Sequence, residues 1–147
     1  MMDFWTVVRF LHILGAVVWV GGQLTVTVVL LPVVHGMLTA PDRADLLRGV
    51  GKRFAVVTAA VFLPLQVTTG VLLAARYGVT WASLLQPGYG RILTAKVLLF
   101  AAVMVATTVH GFAQARHEPA AARAASIAAL TGSVGILLLA AALADGN

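Results

Sequence analysis

The chain has 147 residues, of which 61% are hydrophobic and only 10% charged, with a mean hydropathy of +0.98. This composition excludes an ordinary soluble domain and matches an integral membrane protein. The formal charge of +5 comes from few basic residues, scattered and mostly at the ends of apolar runs, so membrane topology explains them and no nucleic-acid partner is expected. There is no cysteine, which removes disulfides, thiolate metal sites, cysteine catalysis and iron–sulfur clusters from consideration.

Four runs are long enough to cross a bilayer, which takes about 20 apolar residues. The expected architecture is therefore an all-α, integral membrane four-helix bundle forming a single domain over residues 1–147, in contact with the lipid bilayer. The first span covers about residues 4–34. It follows an amino terminus without a basic n-region, so it reads as a retained span rather than a signal peptide. Pro32 is expected to bend its end. A basic linker, residues 35–53, carries Arg43, Arg48, Lys52 and Arg53. Its segment Pro41-Asp42-Arg43-Ala44-Asp45-Leu46-Leu47 has the look of a helix start, either of a surface helix or of an extension of the next span.

The second span covers about residues 54–76, with Pro64 as an expected mid-membrane kink. Tyr77, Trp81 and Tyr89 then lie among Gly78, Pro87, Gly88 and Gly90, as interfacial aromatics in a turn-rich loop. The third span covers about 92–115. The fourth, about 124–144, is rich in Ala and Gly, which permits close helix approach. Arg43, Arg48, Lys52, Arg53, Arg116 and Arg123 fall on one side of this topology, against Arg9, Arg76 and Arg91 on the other. The excess puts both termini outside and the two basic linkers in the cytoplasm.

The most informative stretch is in the first span. His12, Gly15, Trp19 and Gly22 follow one another at steps of three, four and three, which places them on one face of a helix. An ionisable ring inside a membrane is costly and normally meets a partner or a cavity. Lys96 and His110 are the other ionisable residues at span depth, and they share a face of the third span with Val103. At about 1.5 Å per residue His12 and Lys96 can share a level, whereas His110 falls about 20 Å deeper than Lys96. His12 and His110 are thus not expected to clamp one metal or the two faces of one haem.

The candidate cofactor-binding set is His12, Lys96, Trp19, Gly15 and Gly22, where glycine-thinned walls admit a flat ring. The candidate metal-ligating set is His12, His110, His35 and Met104, with imidazoles suited to Cu(II) and the thioether to Cu(I). Against these stand plainer roles. Lys96 can snorkel to the headgroups, His110 can hydrogen-bond a neighbouring helix, His35 and His117 can be solvated, and Trp19 and the glycines can serve packing.

Leu11-His12, Gly15-Ala16, Trp19 and Gly21-Gly22, followed by Leu31-Pro32, resemble the copper-resistance protein D (CopD) family of bacterial membrane proteins. Lys52-Arg53-Phe54, Thr69-Gly70, Tyr89-Gly90, Lys96 and His110-Gly111-Phe112 fit the same pattern, so the resemblance runs to about Phe112. It implies copper handling, in uptake or resistance, at a bacterial cytoplasmic membrane, with a copper-binding protein at the outer face as partner. The layout of His12, Trp19, Lys96 and His110 is also similar to the HemJ family, which implies binding of haem b and oxidation of protoporphyrinogen IX; a separate redox alternative is a haem b oxidoreductase that passes electrons to a quinone or a partner. HemJ-like chains carry their proline closer to the tryptophan, beside a basic residue, whereas here Pro32 stands thirteen residues on between Leu31 and Val33. A third expectation is a ligand-free scaffold subunit, free to form a homo-oligomer, and on balance the chain is not expected to be an enzyme.

Overall fold

A computed structural model describes residues 3–145, and the side chains of residues 3–142. The all-α expectation holds: among the described residues there are no strands, and four helices are long and apolar enough to span a membrane. We number them α1 (Phe4–Met37), α2 (Ala40–Arg76), α3 (Tyr89–Ala115) and α4 (Pro119–Asp145). The chain divides into two units, Met1–Tyr77 with α1 and α2, and Gly78–Asn147 with α3 and α4.

In the first unit, Asp3 starts α1 by accepting the Trp5 amide at 3.0 Å. α2 begins after Thr39, with Pro41 in its first turn and Asp42 near its positive end. The basic segment is therefore not a loop. It forms the first turns of a 37-residue helix that runs on into the membrane-length part of α2. Of the two expectations for this segment, the extension of the second span is the one found.

Pro32 and Pro64 are accommodated in the same way. Each stands immediately after a leucine that closes a π-helical turn, Thr25–Leu30 before Leu31-Pro32 and Thr58–Phe62 before Leu63-Pro64. The Leu31 amide donates to the Val26 carbonyl and the Leu63 amide to the Thr58 carbonyl, five residues back instead of four. Proline has no amide to give, and its ring collides with the carbonyl one α-turn earlier. Widening the ladder just before it takes up the misfit while keeping the backbone hydrogen-bonded, as a hydrocarbon environment demands.

The second unit is a helical hairpin. Its entry is fixed by close backbone approach. A side chain at Gly90 would bring its Cβ to 1.9 Å from the Ser83 carbonyl oxygen, and Thr94 donates to the Leu84 carbonyl at 2.8 Å. The turn between α3 and α4 is a Schellman motif. The Glu118 amide donates to Ala113 and the His117 amide to Gln114, and His117 takes the left-handed conformation usual for glycine (φ 58°). His117 thus has a structural position at a helix end.

α4 packs on α3 through small residues. Ala122, Ala125, Ala129, Ser133 and Ile136 are buried along one stripe, and Ser133 returns its hydroxyl to the Ala129 carbonyl. Val103, 2% exposed, fills the depression that Gly132 leaves. Large apolar side chains elsewhere point outward in both units (Phe10, Val18, Val28, Val71, Leu98, Val105 and Leu138 among them), the reverse of a water-soluble surface. A Cβ at Gly132 would lie 2.4 Å from Val103 Cγ2, whereas one at Gly111 meets nothing within 4 Å. Gly132→Ala should therefore lower stability in detergent by about 1–3 kcal/mol through overpacking. Gly111→Ala should raise it by up to about 1 kcal/mol through helix propensity, both read from reversible unfolding in mixed micelles.

Candidate functional site

The face spaced His12, Gly15, Trp19, Gly22 lies against α2, and each member meets a specific partner there. The pairing is antiparallel. His12 meets Thr69 and Gly70, Gly15 meets Leu65 and Gln66, Trp19 meets Thr58 and Phe62, and Gly22 meets Phe54.

At the His12 level, Nδ1 lies 2.7 Å from Thr69 Oγ1. That hydroxyl has one proton, and it donates it to the Leu65 carbonyl at 2.6 Å. Thr69 must then accept, so His12 Nδ1 carries a hydrogen, and in the neutral ring Nε2 is the nitrogen without one. Gly70 lies beside the imidazole, where an added Cβ would come within 3.3 Å of His12 Cε1. Thr69 is 5% exposed, so this hydrogen bond is shielded on the α2 side.

One turn further along α1, the buried Gln66 side chain crosses to α1 and donates from Nε2 to the His12 carbonyl at 2.7 Å. The bond needs Gly15, because a Cβ there would sit 2.5 Å from Gln66 Nε2. Trp19 is 5% exposed, stacks on Phe62 with ring centroids 4.6 Å apart and planes 7° apart, and donates from Nε1 to Thr58 Oγ1 at 3.1 Å. Gly22 receives the Phe54 ring. The space each of these two glycines leaves is filled by a side chain of α2. Gln66, Thr69 and Thr58 thus complete the set that sequence reasoning built around His12. Nothing in residue spacing assigns Gln66 and Thr69 to His12 in particular.

The other candidates are distributed. His35 is exposed near the end of α1, and its Nδ1 donates to the Leu31 carbonyl at 2.6 Å. His110, half-buried in α3, donates from Nδ1 to the Ala122 carbonyl of α4 at 2.8 Å. A carbonyl only accepts, so in both rings, as in His12, Nδ1 carries a hydrogen. Met104 and Lys96 are half-buried on α3. Met1 and Met2 lie outside the described residues. Among the described residues no three His, Cys, Asp or Glu side chains converge.

The chain matches no family model, no curated protein and no solved structure.

Thr69→Val keeps the shape of the side chain and removes the acceptor for His12 Nδ1–H. The expected cost is about 0.5–2 kcal/mol, the range for interhelical hydrogen bonds in membranes. The ¹⁵N spectrum of the imidazole should report the Nδ1–H form for His12 in the parent and a mixed population in the variant. An unchanged spectrum would show that Thr69 does not set the tautomer.

Proposed function

We propose that this chain handles copper as a substrate at the membrane, binding it through separated imidazole nitrogens, as the resemblance to the CopD family implies. The observation that supports this reading is the shared state of three histidines. His12, His35 and His110 each commit Nδ1–H to an oxygen of the protein, which leaves Nε2 as the ligating nitrogen of the ring in its neutral form. Metal-binding histidines are commonly held in this way, because a hydrogen bond to the far nitrogen orients the ring and raises the basicity of the ligating one.

The positions along the chain suit a relay more than a closed cage. His12 and His35 lie on the same helix, 23 residues apart, which is about 35 Å of helical rise and enough to reach both sides of a ~30 Å hydrocarbon core. Imidazole favours Cu(II), and sites built from one or few imidazoles release the ion readily, as passage requires. Met104, on α3 with His110, adds a thioether suited to Cu(I). A copper-binding protein at the outer face is the partner this reading calls for, and the bacterial cytoplasmic membrane is its setting.

The test is metal analysis, absorption and electron paramagnetic resonance of detergent-purified protein titrated with Cu(II). A Cu(II) signal with nitrogen hyperfine structure is expected. It should lose one component in each of His12→Ala, His35→Ala and His110→Ala. Thr69→Val should keep the His12 component but weaken its affinity by about 10–100-fold, the usual effect of removing an outer-shell partner. Protein that binds no copper would sink the proposal, and a Soret band lost in His12→Ala would replace copper with haem b.

A further inference from the structure

The first unit carries a second feature that copper handling does not use. At the end of the hairpin where α1 begins and α2 finishes, an open cleft of about 160 Å³ lies between the two helices. Trp5, Arg9, Leu73, Arg76 and Tyr77 line it, together with Asp3. Two guanidinium groups, 67 positions apart in sequence, are thus brought to one small space. Among the described residues neither forms a salt bridge. The Asp3 carboxylate is the one acidic group at the cleft, and it is occupied in part by the Trp5 amide it caps.

Both guanidiniums are held by aromatic side chains. Arg76 lies over the Trp5 ring at 4.8 Å from its centroid. Arg9 donates to the Tyr77 hydroxyl, with its guanidinium carbon 6.0 Å from the ring centroid, at the hydroxyl edge of the ring. A ring face for Arg76 and a neutral hydroxyl for Arg9 restrain each guanidinium without neutralising it, and so leave its positive charge to act on another group. Arg76 is the last residue of α2, and Arg9 lies less than two turns into α1. Together with Trp5 and Tyr77 this is the composition of a membrane–water interface. At that depth the abundant anions are lipid phosphates, and guanidinium is the side chain best matched to phosphate oxygens.

We propose that the cleft between Arg9 and Arg76 binds a phosphate anion, the two arginines gripping its oxygens from opposite helices. The source fitted to this position is the headgroup of an anionic phospholipid, whose acyl chains would lie along the outward apolar side chains of α1 and α2, with inorganic phosphate as the soluble alternative. The cleft has room for a group of several heavy atoms. It joins the end of α1 to the end of α2 through a shared counterion, independently of the hydrogen bonds at His12.

The test uses the full chain in a neutral detergent, with binding read by native mass spectrometry and by the shift in the unfolding midpoint. Phosphatidylglycerol, phosphatidylcholine and inorganic phosphate are added separately. Phosphatidylglycerol should bind about tenfold or more tighter than phosphatidylcholine, whose choline cation opposes the arginines. The preference should vanish in the double variant Arg9→Gln/Arg76→Gln. It should persist in Arg43→Gln/Arg48→Gln, which removes the same charge from the basic start of α2. Each single variant, Arg9→Gln or Arg76→Gln, should lie between, which keeps the test valid should the double variant fail to fold. A shift with inorganic phosphate that the same variants abolish supports the cradle with a soluble ligand. Equal binding of the two lipids without a phosphate response, or single variants indistinguishable from the parent, would overturn it.

Discussion

The chain of hydrogen bonds from His12 Nδ1–H to Thr69 Oγ1, and from Thr69 Oγ1–H to the Leu65 carbonyl, sets the terms for the first hairpin. In hydrocarbon an unmet polar group costs several kcal/mol, so an imidazole placed there must either find a partner or be excluded. Here it finds a threonine whose own proton is already spent on its helix, and the direction of the chain follows. The Gln66 amide adds a second tie to the His12 carbonyl, and the bare surface of Gly15 lets it approach. The side chains around His12 thus fix its register and place a hydrogen on Nδ1.

The two hairpins hold together by different means. The first uses directional contacts, among them the side-chain hydrogen bonds His12–Thr69, Gln66–His12 and Trp19–Thr58 and a stacked Trp19–Phe62 pair. The second uses closeness. Alanines, Gly132 and Ser133 of α4 let the backbones approach, and Val103 fills the gap, so that dispersion and excluded lipid supply the attraction. His110 is an exception in the second hairpin, for its interhelical bond runs to a backbone carbonyl near the helix turn. The hairpin built on directional contacts contains both His12 and the Arg9–Arg76 cleft, and polar groups held at fixed geometry are the ones able to select a ligand.

The paired π turns show how proline is tolerated in such helices. Thr25–Leu30 and Thr58–Phe62 each precede a Leu-Pro step, and each shifts the hydrogen-bond ladder to five residues before the ring arrives. The Thr58 that accepts the Trp19 indole also begins the second of these turns, so the accommodation of Pro64 and the placement of Trp19 share a residue.

Much of this was legible in residue order. Hydropathy alone marks four spans and the all-α class, because a bilayer demands about 20 consecutive apolar residues and internally satisfied backbone. The steps of three, four and three also single out His12, Gly15, Trp19 and Gly22 as one helix face, since helical periodicity is a local property. The helical character of residues 40–53 was only half visible. Their charges read as a linker, yet local hydrogen bonding carries the helix straight through them into α2. Beyond local periodicity lies the identity of the partners. That Thr69 receives His12, that Gln66 fills the space at Gly15, and that Arg9 meets Arg76 across the end of a hairpin all depend on the antiparallel register of α1 on α2. Register arises from side-chain fit between residues far apart in sequence, 57 positions for His12–Thr69 and 39 for Trp19–Thr58, and no spacing within either helix encodes it.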